Sequence, residues 1–433
     1  MSETPGRQTV AVTDRLNAGL KRRYAAERRF RLYGLISVAL ALAFLGILFA
    51  SIIEKGYSAF TQHLVRLEIH FDPQLIDPEG TRDARTLARA DYAALAKRAI
   101  GQLFPEVKKR RDKRALRSLV SSGAAYDLRA MVLDDPALIG ATRTVWVPVD
   151  DDVDMYMKGY ISPDLPEAER RLSDAQIGWV DRLVDWGFVE KRFNARFFTA
   201  GDSREPELAG IWGAVVGSFF ALLVTLLLAF PIGVMAAVYL EEFAPKNRLT
   251  DLIEVNINNL AAVPSIIFGI LGLAVLLNFF ELPRSAPLVG GMVLALMTLP
   301  TIIIAGRVAL KAVPPSIREA ALSVGASPVQ TVLHHVFPIA MPGILTGTII
   351  GMARALGETA PLLMIGMVAF IVDIARGPLD PATVLPVQIF IWSDAPERGF
   401  VEKAAAATMV LLVFLIAMNG LAIYLRQKFE KRW

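Results

Sequence analysis

The apolar residues of this chain are gathered into six long runs, separated by stretches that are rich in charge. A helix that crosses a bilayer core of roughly 30 Å needs about 20 predominantly apolar residues, and each run approaches or exceeds that length. The pattern therefore predicts six membrane spans, at residues 35–53, 211–240, 257–280, 288–305, 343–372 and 404–425.

A polar segment, residues 54–206, separates the first two spans and is long enough to form a domain with its own core. Strict alternation of apolar and charged residues predicts a half-buried strand at Val65–Phe71, and Thr144–Val149 has the same period. Helical periodicity covers residues 84–100, 114–132 and 175–189. Ser173 and Gln176 have the spacing of a capping box at the start of the last of these. The segment is predicted to be a small α+β domain.

Two features of this segment raise the question of a metal site. Four aspartates lie close together in the sequence: Asp150, Asp151, Asp152 and Asp154. They lack the glycine and glutamate that follow in an EF-hand, so a solvated acidic loop is the better interpretation. His63 and His70 have no ligand-rich neighbours and are expected at the surface. We predict no metal ion and no cofactor in this chain.

The distribution of charge predicts the topology. Basic residues flank the first and last spans: Arg7, Arg15, Lys21, Arg22, Arg23, Arg28, Arg29 and Arg31 at one end, and Arg426, Lys428, Lys431 and Arg432 at the other. Such residues stay cytoplasmic, so both termini should be inside, as six spans allow. A nucleic-acid-binding tail is the alternative, but the position beside a span favours membrane anchoring.

This topology divides the chain into parts. The predicted parts are a cytoplasmic tail (1–33), a span (34–53), a periplasmic domain (54–206), a membrane domain (207–425) with a cytoplasmic loop at 313–338, and a second cytoplasmic tail (426–433). The absence of cysteine excludes disulfides and thiol chemistry. No Gly-rich Lys-Ser/Thr phosphate loop occurs, so the chain is not expected to be an enzyme that hydrolyses ATP.

The cytoplasmic loop carries unusually strong helix signals. Ser316 and Glu319 have capping-box spacing and predict a helix that begins at Ile317. Gly325 suits the left-handed position that ends a helix. A second capping box follows, formed by Ser327 and Gln330 around Pro328. Two short helices joined by a glycine bend either form a docking surface or simply connect two spans.

The sequence Glu319-Ala320-Ala321, followed by Gly325 and Pro338, resembles the EAA loop of ABC importer permeases. The resemblance implies that this loop forms the coupling helix, which docks in a cleft of a cytoplasmic ATPase. The chain departs from the usual pattern at His335, where a branched apolar residue is common, and at Phe337, which replaces leucine.

Three further segments, Tyr239–Arg248, Val263–Gly269 and Arg354–Pro361, are similar to phosphate permeases of the PstA family, in particular to members with an extended N-terminus. This implies a type I permease core of five helices. The whole would be an all-α polytopic membrane protein of six transmembrane helices with a small α+β periplasmic domain. It also implies phosphate transport across a bacterial inner membrane with three partners: a PstC-like permease, a PstB-like ATPase dimer and a periplasmic phosphate-binding protein.

Two charges stand inside the predicted fifth span. Arg354 lies roughly 16 Å along a helix counted from Gly343, near mid-bilayer, with Glu358 one turn further on. Pro361 cannot donate to the carbonyl of Gly357, so a bend or break is predicted there. A buried structural ion pair and an anion gate on the substrate path are both compatible with this pattern. The resemblance favours the gate.

Two other functions remain as alternatives. A permease for sulfate or molybdate would share the loop and differ in its cavity contacts. A membrane receptor with a periplasmic sensor would need a cytoplasmic output module, and the eight residues after Leu425 leave no room for one.

Overall fold

The computed structural model describes residues 6–429, without the side chains of residues 6–18, 21 and 429. Lys431, Arg432 and the side chains of Arg7, Arg15 and Lys21, which entered the topology prediction, lie outside the described residues. Up to Glu54 the chain forms a compact unit of its own, and the rest forms a second.

The first unit consists of helix α1, Gly6–Gly56, which continues for two residues into the second. Its 51 residues extend about 76 Å at 1.5 Å per residue. The described part of the predicted tail and the first span are therefore one continuous helix, which the change from basic to apolar side chains does not interrupt.

The polar segment folds as an α+β domain, residues 57–208. Its sheet contains β1 (Thr61–His70), β2 (Thr142–Pro148) and β3 (Val189–Phe193). Its α-helices are α2 (Pro73–Ile76), α3 (Ala84–Arg89), α4 (Tyr92–Leu103), α5 (Arg110–Arg117), α6 (Ala124–Asp134), α7 (Asp151–Met157), α8 (Asp174–Asp185) and α9 (Ala195–Thr199). Single 3₁₀ turns cover Tyr57–Phe60, Pro136–Leu138, Glu167–Glu169 and Pro206–Leu208.

The sheet is antiparallel in the order β2-β1-β3, with Leu67 opposite Val145. Both predicted strands are confirmed, and β3 was missed because its alternation is weak and most of its side chains are exposed. The helical stretch predicted at 175–189 ends at Asp185, where Gly187 turns the chain with φ of +67°. Its predicted Ser173–Gln176 capping box is present.

The two longer helical predictions in this domain are each divided into two helices. Asp91 caps α4 by accepting from the N–H of Ala94, which separates α3 from α4. Residues 118–123 separate α5 from α6. The helices and the sheet enclose one apolar core, which includes Leu67, Ile69, Ile100, Leu128 and Val180.

The membrane domain contains α10 (Trp212–Val238), α11 (Arg248–Ala261), α12 (Ser265–Leu271), α13 (Pro287–Lys311), α14 (Pro315–Ser323), α15 (Pro328–Thr331), α16 (Phe337–Gly357), α17 (Ala360–Met364), α18 (Leu385–Ser393) and α19 (Arg398–Phe429). Single π-type turns extend α10 over Tyr239–Phe243 and α12 over Gly272–Phe279, and another joins α15 to α16. Within the described residues five helices are long and apolar enough to cross a membrane, and α11 with α12 makes a sixth if counted as one span.

Two predicted spans differ in shape from the sequence expectation. The apolar run 257–280 is not one straight helix, because α11 and α12 meet at 103°. Pro264 lies at that corner, where its ring cannot continue a helix. The run 343–372 is not one helix either, since α16 begins at Phe337 and ends at Gly357. A break at Gly357–Pro361 was predicted and is confirmed.

Small residues set the distance between the central helices. Gly343 and Gly347 of α16 pack directly on Ala309 and Ala305 of α13. A Cβ at Gly343 would lie 2.6 Å from that of Ala309, so any larger side chain would push the helices apart. This packing fixes the position of α16, which carries the charged residues discussed below.

Candidate functional site

The loop between α13 and α16 is a rigid helical structure. α14 ends in a Schellman motif, in which the N–H of Gly325 donates to Leu322 (3.0 Å) and that of Ala326 donates to Ala321 (3.1 Å). Gly325 has φ of +89°, a conformation that side-chain-bearing residues disfavour, as predicted. Ser327 and Gln330 form the predicted second capping box around Pro328.

The first capping box was predicted wrongly. α14 begins at Pro315 rather than Ile317, and Ser316 makes no cap. Proline at the first helical position has a preset φ and lacks the N–H that a cap would satisfy. Glu319 is therefore free of a capping role, and its side chain is exposed to solvent.

Arg318 anchors α14 to the membrane domain. Its guanidinium donates to both carboxylate oxygens of Glu242, at 2.5 and 3.1 Å. It also donates to the carbonyls of Val313 (2.8 Å) and Leu310 (3.0 Å), close to the end of α13. This planar, forked donor thus holds the loop against the end of α10 and α13 together.

A second arginine ties the neighbouring helices. Arg307 pairs with Glu254 of α11 at 2.6 Å and with Glu241 at 3.4 Å. The sequence singled out Glu241 and Glu242 only for their similarity to other permeases. The sequence signal for these ion pairs was two carboxylates just past one span, together with one arginine near the end of a later span and another in the loop after it. Which arginine meets which glutamate depends on the tertiary contact.

The outer surface of the loop is apolar. Leu322, Val324, Val329 and Leu333 are exposed, Val324 to 84%. Ala320 and Pro338, the second residue of α16, are exposed, whereas Ala321 is buried. Of the predicted coupling residues, Ala321 is buried and the others are exposed. We call the four exposed apolar residues, Leu322, Val324, Val329 and Leu333, the loop face. Such a face next to charged residues is typical of a protein contact.

The other end of α16 carries Arg354 and Glu358. Because α16 begins at Phe337, Arg354 lies about 26 Å along it, three residues from its end. Arg354 Nε and Glu358 Oε1 are 3.4 Å apart, and 54% of the arginine side chain is exposed. A pair whose arginine is this exposed contributes little to stability.

The break after α16 is held by close packing against α12. A Cβ at Gly269 would lie 2.7 Å from Pro361 Cα and 2.8 Å from its carbonyl oxygen. The interrupted ends of two apolar runs, α12 and α17, therefore contact each other directly. Irregular backbone among apolar helices is tolerated only inside protein or along a cavity. The break thus presents an exposed guanidinium at a position that the packing defines.

A second set of charges joins the α+β domain to α19. Lys158, which follows the last residue of α7, pairs with Asp154 at 2.7 Å and with Glu402 at 2.9 Å, and all three side chains are buried. Asp154 also accepts from the backbone N–H of His63 (2.9 Å) and contacts His63 Nδ1 (2.8 Å). The expectation of a surface histidine is therefore wrong at His63, whereas His70 is exposed.

The predicted solvated acidic loop is also wrong. Asp150 caps α7 by accepting from the N–H of Asp152, and Asp151 lies in the interior close to Gly399 of α19. Within residues 6–429 no group of three or more His, Asp or Glu side chains is arranged to hold a metal ion. The run of aspartates is instead a helix start that packs against the membrane domain.

The stability of this packing is expected to fall as pH rises. Burial raises the pKa of Asp151 to about 8 and that of Glu207 to about 7. Since the folded state holds protons that the unfolded chain releases above pH 4 to 5, the stability present at low pH is lost as pH passes these values. Thermal unfolding of the purified chain should show a Tm several degrees lower at pH 8.5 than at pH 5.

Asp151→Asn should weaken this pH dependence, because the amide stays neutral at every pH. Asp185→Asn, at an exposed aspartate of α8, is the matched control. An identical pH dependence of Tm in Asp151→Asn and in the unsubstituted chain would contradict the assignment.

Comparison with known proteins gives two family matches. Residues 229–431 match a family described as "Binding-protein-dependent transport system inner membrane component". Residues 17–167 match a domain of unknown function, DUF3333.

Individual relatives match about half of the chain. The phosphate transport system permease protein PstA 1 of Mycobacterium tuberculosis is 32% identical over 224 residues, which cover 51% of this chain and 72% of the relative. PstA of Haemophilus influenzae is 30% identical over 222 residues, which cover 51% of this chain and 77% of that relative. A solved structure of the MetNI methionine ABC transporter aligns with a TM-score of 0.42 and 18% identity over 51% of this chain and 98% of that one.

Proposed function

Since this chain belongs to the PstA family of ABC transporter permeases, we propose that it is the membrane subunit of an ATP-driven importer of inorganic phosphate. In this role it forms half of the translocation path and draws its energy from a separate ATPase. The observation that carries the proposal is the 32% identity to PstA 1 over 224 residues. The family match at residues 229–431 includes both the helical loop and the break that carries Arg354.

The proposed assembly contains a PstC-like second permease, two PstB-like ATPase subunits and a periplasmic phosphate-binding protein. The chain would lie in the bacterial inner membrane with both termini in the cytoplasm, as the basic residues Arg28, Arg29 and Arg31 before the first span favour. The α+β domain would then face the periplasm, and the loop face would meet the ATPase.

The mechanism follows from one continuous stretch of helix. The loop face lies on α14 and at the start of the helical segment Pro328–Gly357, whose other end carries Arg354. These 30 residues extend about 45 Å. Movement of the docked ATPase would therefore shift the break directly, while Arg318 and Glu242 carry the same movement to α10.

Arg354 would act as the anion contact on this path. A guanidinium presents planar pairs of donors that match phosphate oxygens. Glu358, at 3.4 Å, would hold the guanidinium when no anion is present.

Uptake of radiolabelled phosphate by cells that express the chain with its transport partners tests this function. We expect saturable uptake that unlabelled phosphate competes with and that sulfate and molybdate do not. Val324→Asp should lower both uptake and ATPase co-purification by about tenfold, because a charge replaces a central apolar contact. Leu249→Asp, at another exposed apolar residue, on α11, is the control.

Competition by sulfate or molybdate at similar concentrations would reject phosphate as the specific solute. Unchanged ATPase co-purification in Val324→Asp, at normal membrane level, would reject the loop face as the docking surface while leaving the transported solute open.

A further inference from the structure

A wide cleft opens in the α+β domain between α4, α5 and the beginning of α6. Its volume is about 810 Å³, which lies within the range of roughly 300–1,000 Å³ that is usual for small-molecule sites. The cleft is thus larger than a single inorganic ion requires. It lies outside the membrane domain and away from Arg354, and the proposed transport function makes no use of it.

The walls of this basic cleft are strongly cationic. Six basic side chains line it: Lys97, Lys108, Arg110, Lys113, Arg114 and Arg117. Two carboxylates, Asp150 and Glu205, face them, so cations outnumber anions three to one.

These cations have no protein partner to neutralise them. None of the six forms an ion pair within the described residues, whereas the nearby Arg98 pairs with Asp72 at 2.8 Å and Arg182 with Glu106 at 2.6 Å. A solvated helix would spread its charges around a convex surface. Here four cations of α5 and two from outside it converge on one concave space, where a bound anion would relieve the repulsion that two carboxylates leave.

The beginning of α6 adds to the positive potential. Ala124 and Ala125, the first two residues of this 11-residue helix, line the cleft together with Ser122. The N-cap residue is Gly123, and no side chain caps the helix. The N-terminus of this helix therefore borders the space that the cations surround, although the N–H groups of Ala124 and Ala125 already donate to the carbonyls of Ser121 and Ser122.

We propose that the basic cleft binds a small anion that carries several phosphate groups. The proposal rests on the convergence of six unpaired cations and a helix N-terminus on one cavity. A phosphate group carries about −1.5 to −2 charges at pH 7, so two or three such groups match the excess of cations, and a single phosphate does not. Arginine and lysine together provide both forked and point-charge contacts to phosphate oxygens.

The acidic lining of the cleft is compatible with an anion. Burial raises the pKa of Asp150 to about 6, which is well above the ordinary range for aspartate. This carboxyl therefore takes up a proton more readily than a free aspartate does, and an approaching anion favours that protonation further. Below about pH 6 Asp150 is therefore largely protonated and repels an anion less.

Calorimetric titration of the purified full chain in neutral detergent with sodium tripolyphosphate tests the proposal. We expect one saturable site per chain, weaker binding of orthophosphate, and an affinity that declines steeply as salt is added. The Lys113→Gln/Arg117→Gln variant should bind tripolyphosphate at least tenfold more weakly. The control is Arg85→Gln/Arg129→Gln, which removes two exposed arginines of the same domain outside the cleft.

Lipid headgroups and soluble phosphates share this chemistry, and lipid nanodiscs distinguish them. A lower affinity for tripolyphosphate in discs that contain cardiolipin, whose headgroup carries two phosphates, than in phosphatidylcholine discs would assign the cleft to a headgroup. Equal affinity would assign it to a soluble anion.

Three results would overturn the proposal. The first is the absence of saturable tripolyphosphate binding, and the second is an equal loss of tripolyphosphate affinity in the cleft and control variants. The third is a cleft variant that binds tripolyphosphate normally but no longer co-purifies with the solute-binding protein. The last would make the cleft a surface for an acidic protein.

Discussion

Arg354→Gln is expected to reduce phosphate uptake to background while the chain still reaches the membrane and co-purifies with its ATPase. The arginine is half exposed and meets Glu358 at a single distance of 3.4 Å, so its removal leaves no buried charge unpaired. It does remove the cation at the break where α16 ends. Uptake of radiolabelled phosphate, normalised to membrane level, measures the effect.

Companion variants separate the gate from a structural pair. Arg354→Lys should recover little uptake, because an ammonium group lacks the planar fork that matches two phosphate oxygens. Glu358→Gln should be milder, since it leaves the cation in place. Arg284→Gln, at an exposed arginine between α12 and α13, is the matched control and should transport normally.

The double variant Arg354→Gln/Glu358→Gln gives the decisive comparison. If the pair were only structural, removing both charges would be milder than removing one. Recovery of uptake in the double variant would therefore refute the gate. We expect uptake to stay at background.

Lys158→Met is expected to lower the Tm of the chain by roughly 10 °C. The lysine side chain is 4% exposed and lies between Asp154 and Glu402, which are also buried. Breaking a buried pair by removing one partner costs about 3–5 kcal/mol, because the remaining charges lose their compensation. A change of this size corresponds to a shift of roughly 10 °C.

Two further variants test the cause of that loss. Lys158→Met/Glu402→Gln should be more stable than Lys158→Met alone, because the second change removes one of the two stranded charges. Arg98→Met breaks an ion pair of the same domain whose arginine is half exposed, and it should change Tm little. An equal decrease in Tm for Lys158→Met and Arg98→Met would show that burial of the charged network does not increase its contribution to stability.

The network also bears on how the α+β domain relates to the membrane domain. Lys403 of α19 donates to the carbonyl of Ala209 at 2.7 Å, and Phe197 packs in one cluster with Trp392 and Phe400. The two parts thus share a core and buried charges rather than a flexible linker. Movement of α19 during transport would therefore also move the residues of the α+β domain that contact it.

The local features of this protein could be read from its sequence. The Ser327–Gln330 capping box, the left-handed Gly325 and the break before Pro361 were all predicted correctly. Each depends on residues within a few positions of one another, where backbone sterics and single hydrogen bonds decide the outcome. The apolar runs likewise predicted the spans, because the length of an apolar run is a property of consecutive residues.

The partners of the charged side chains were determined by the tertiary structure alone. Arg318 meets Glu242 across 76 positions, and Lys158 meets Glu402 across 244. No local pattern encodes such pairs, because a charge is buried only where a distant partner offsets its loss of solvation. Chain packing likewise made Asp151 an interior residue and set the 103° corner of the third span. The sequence determined which elements form, and the packing between distant elements determined which side chains are available to bind, couple or stabilise.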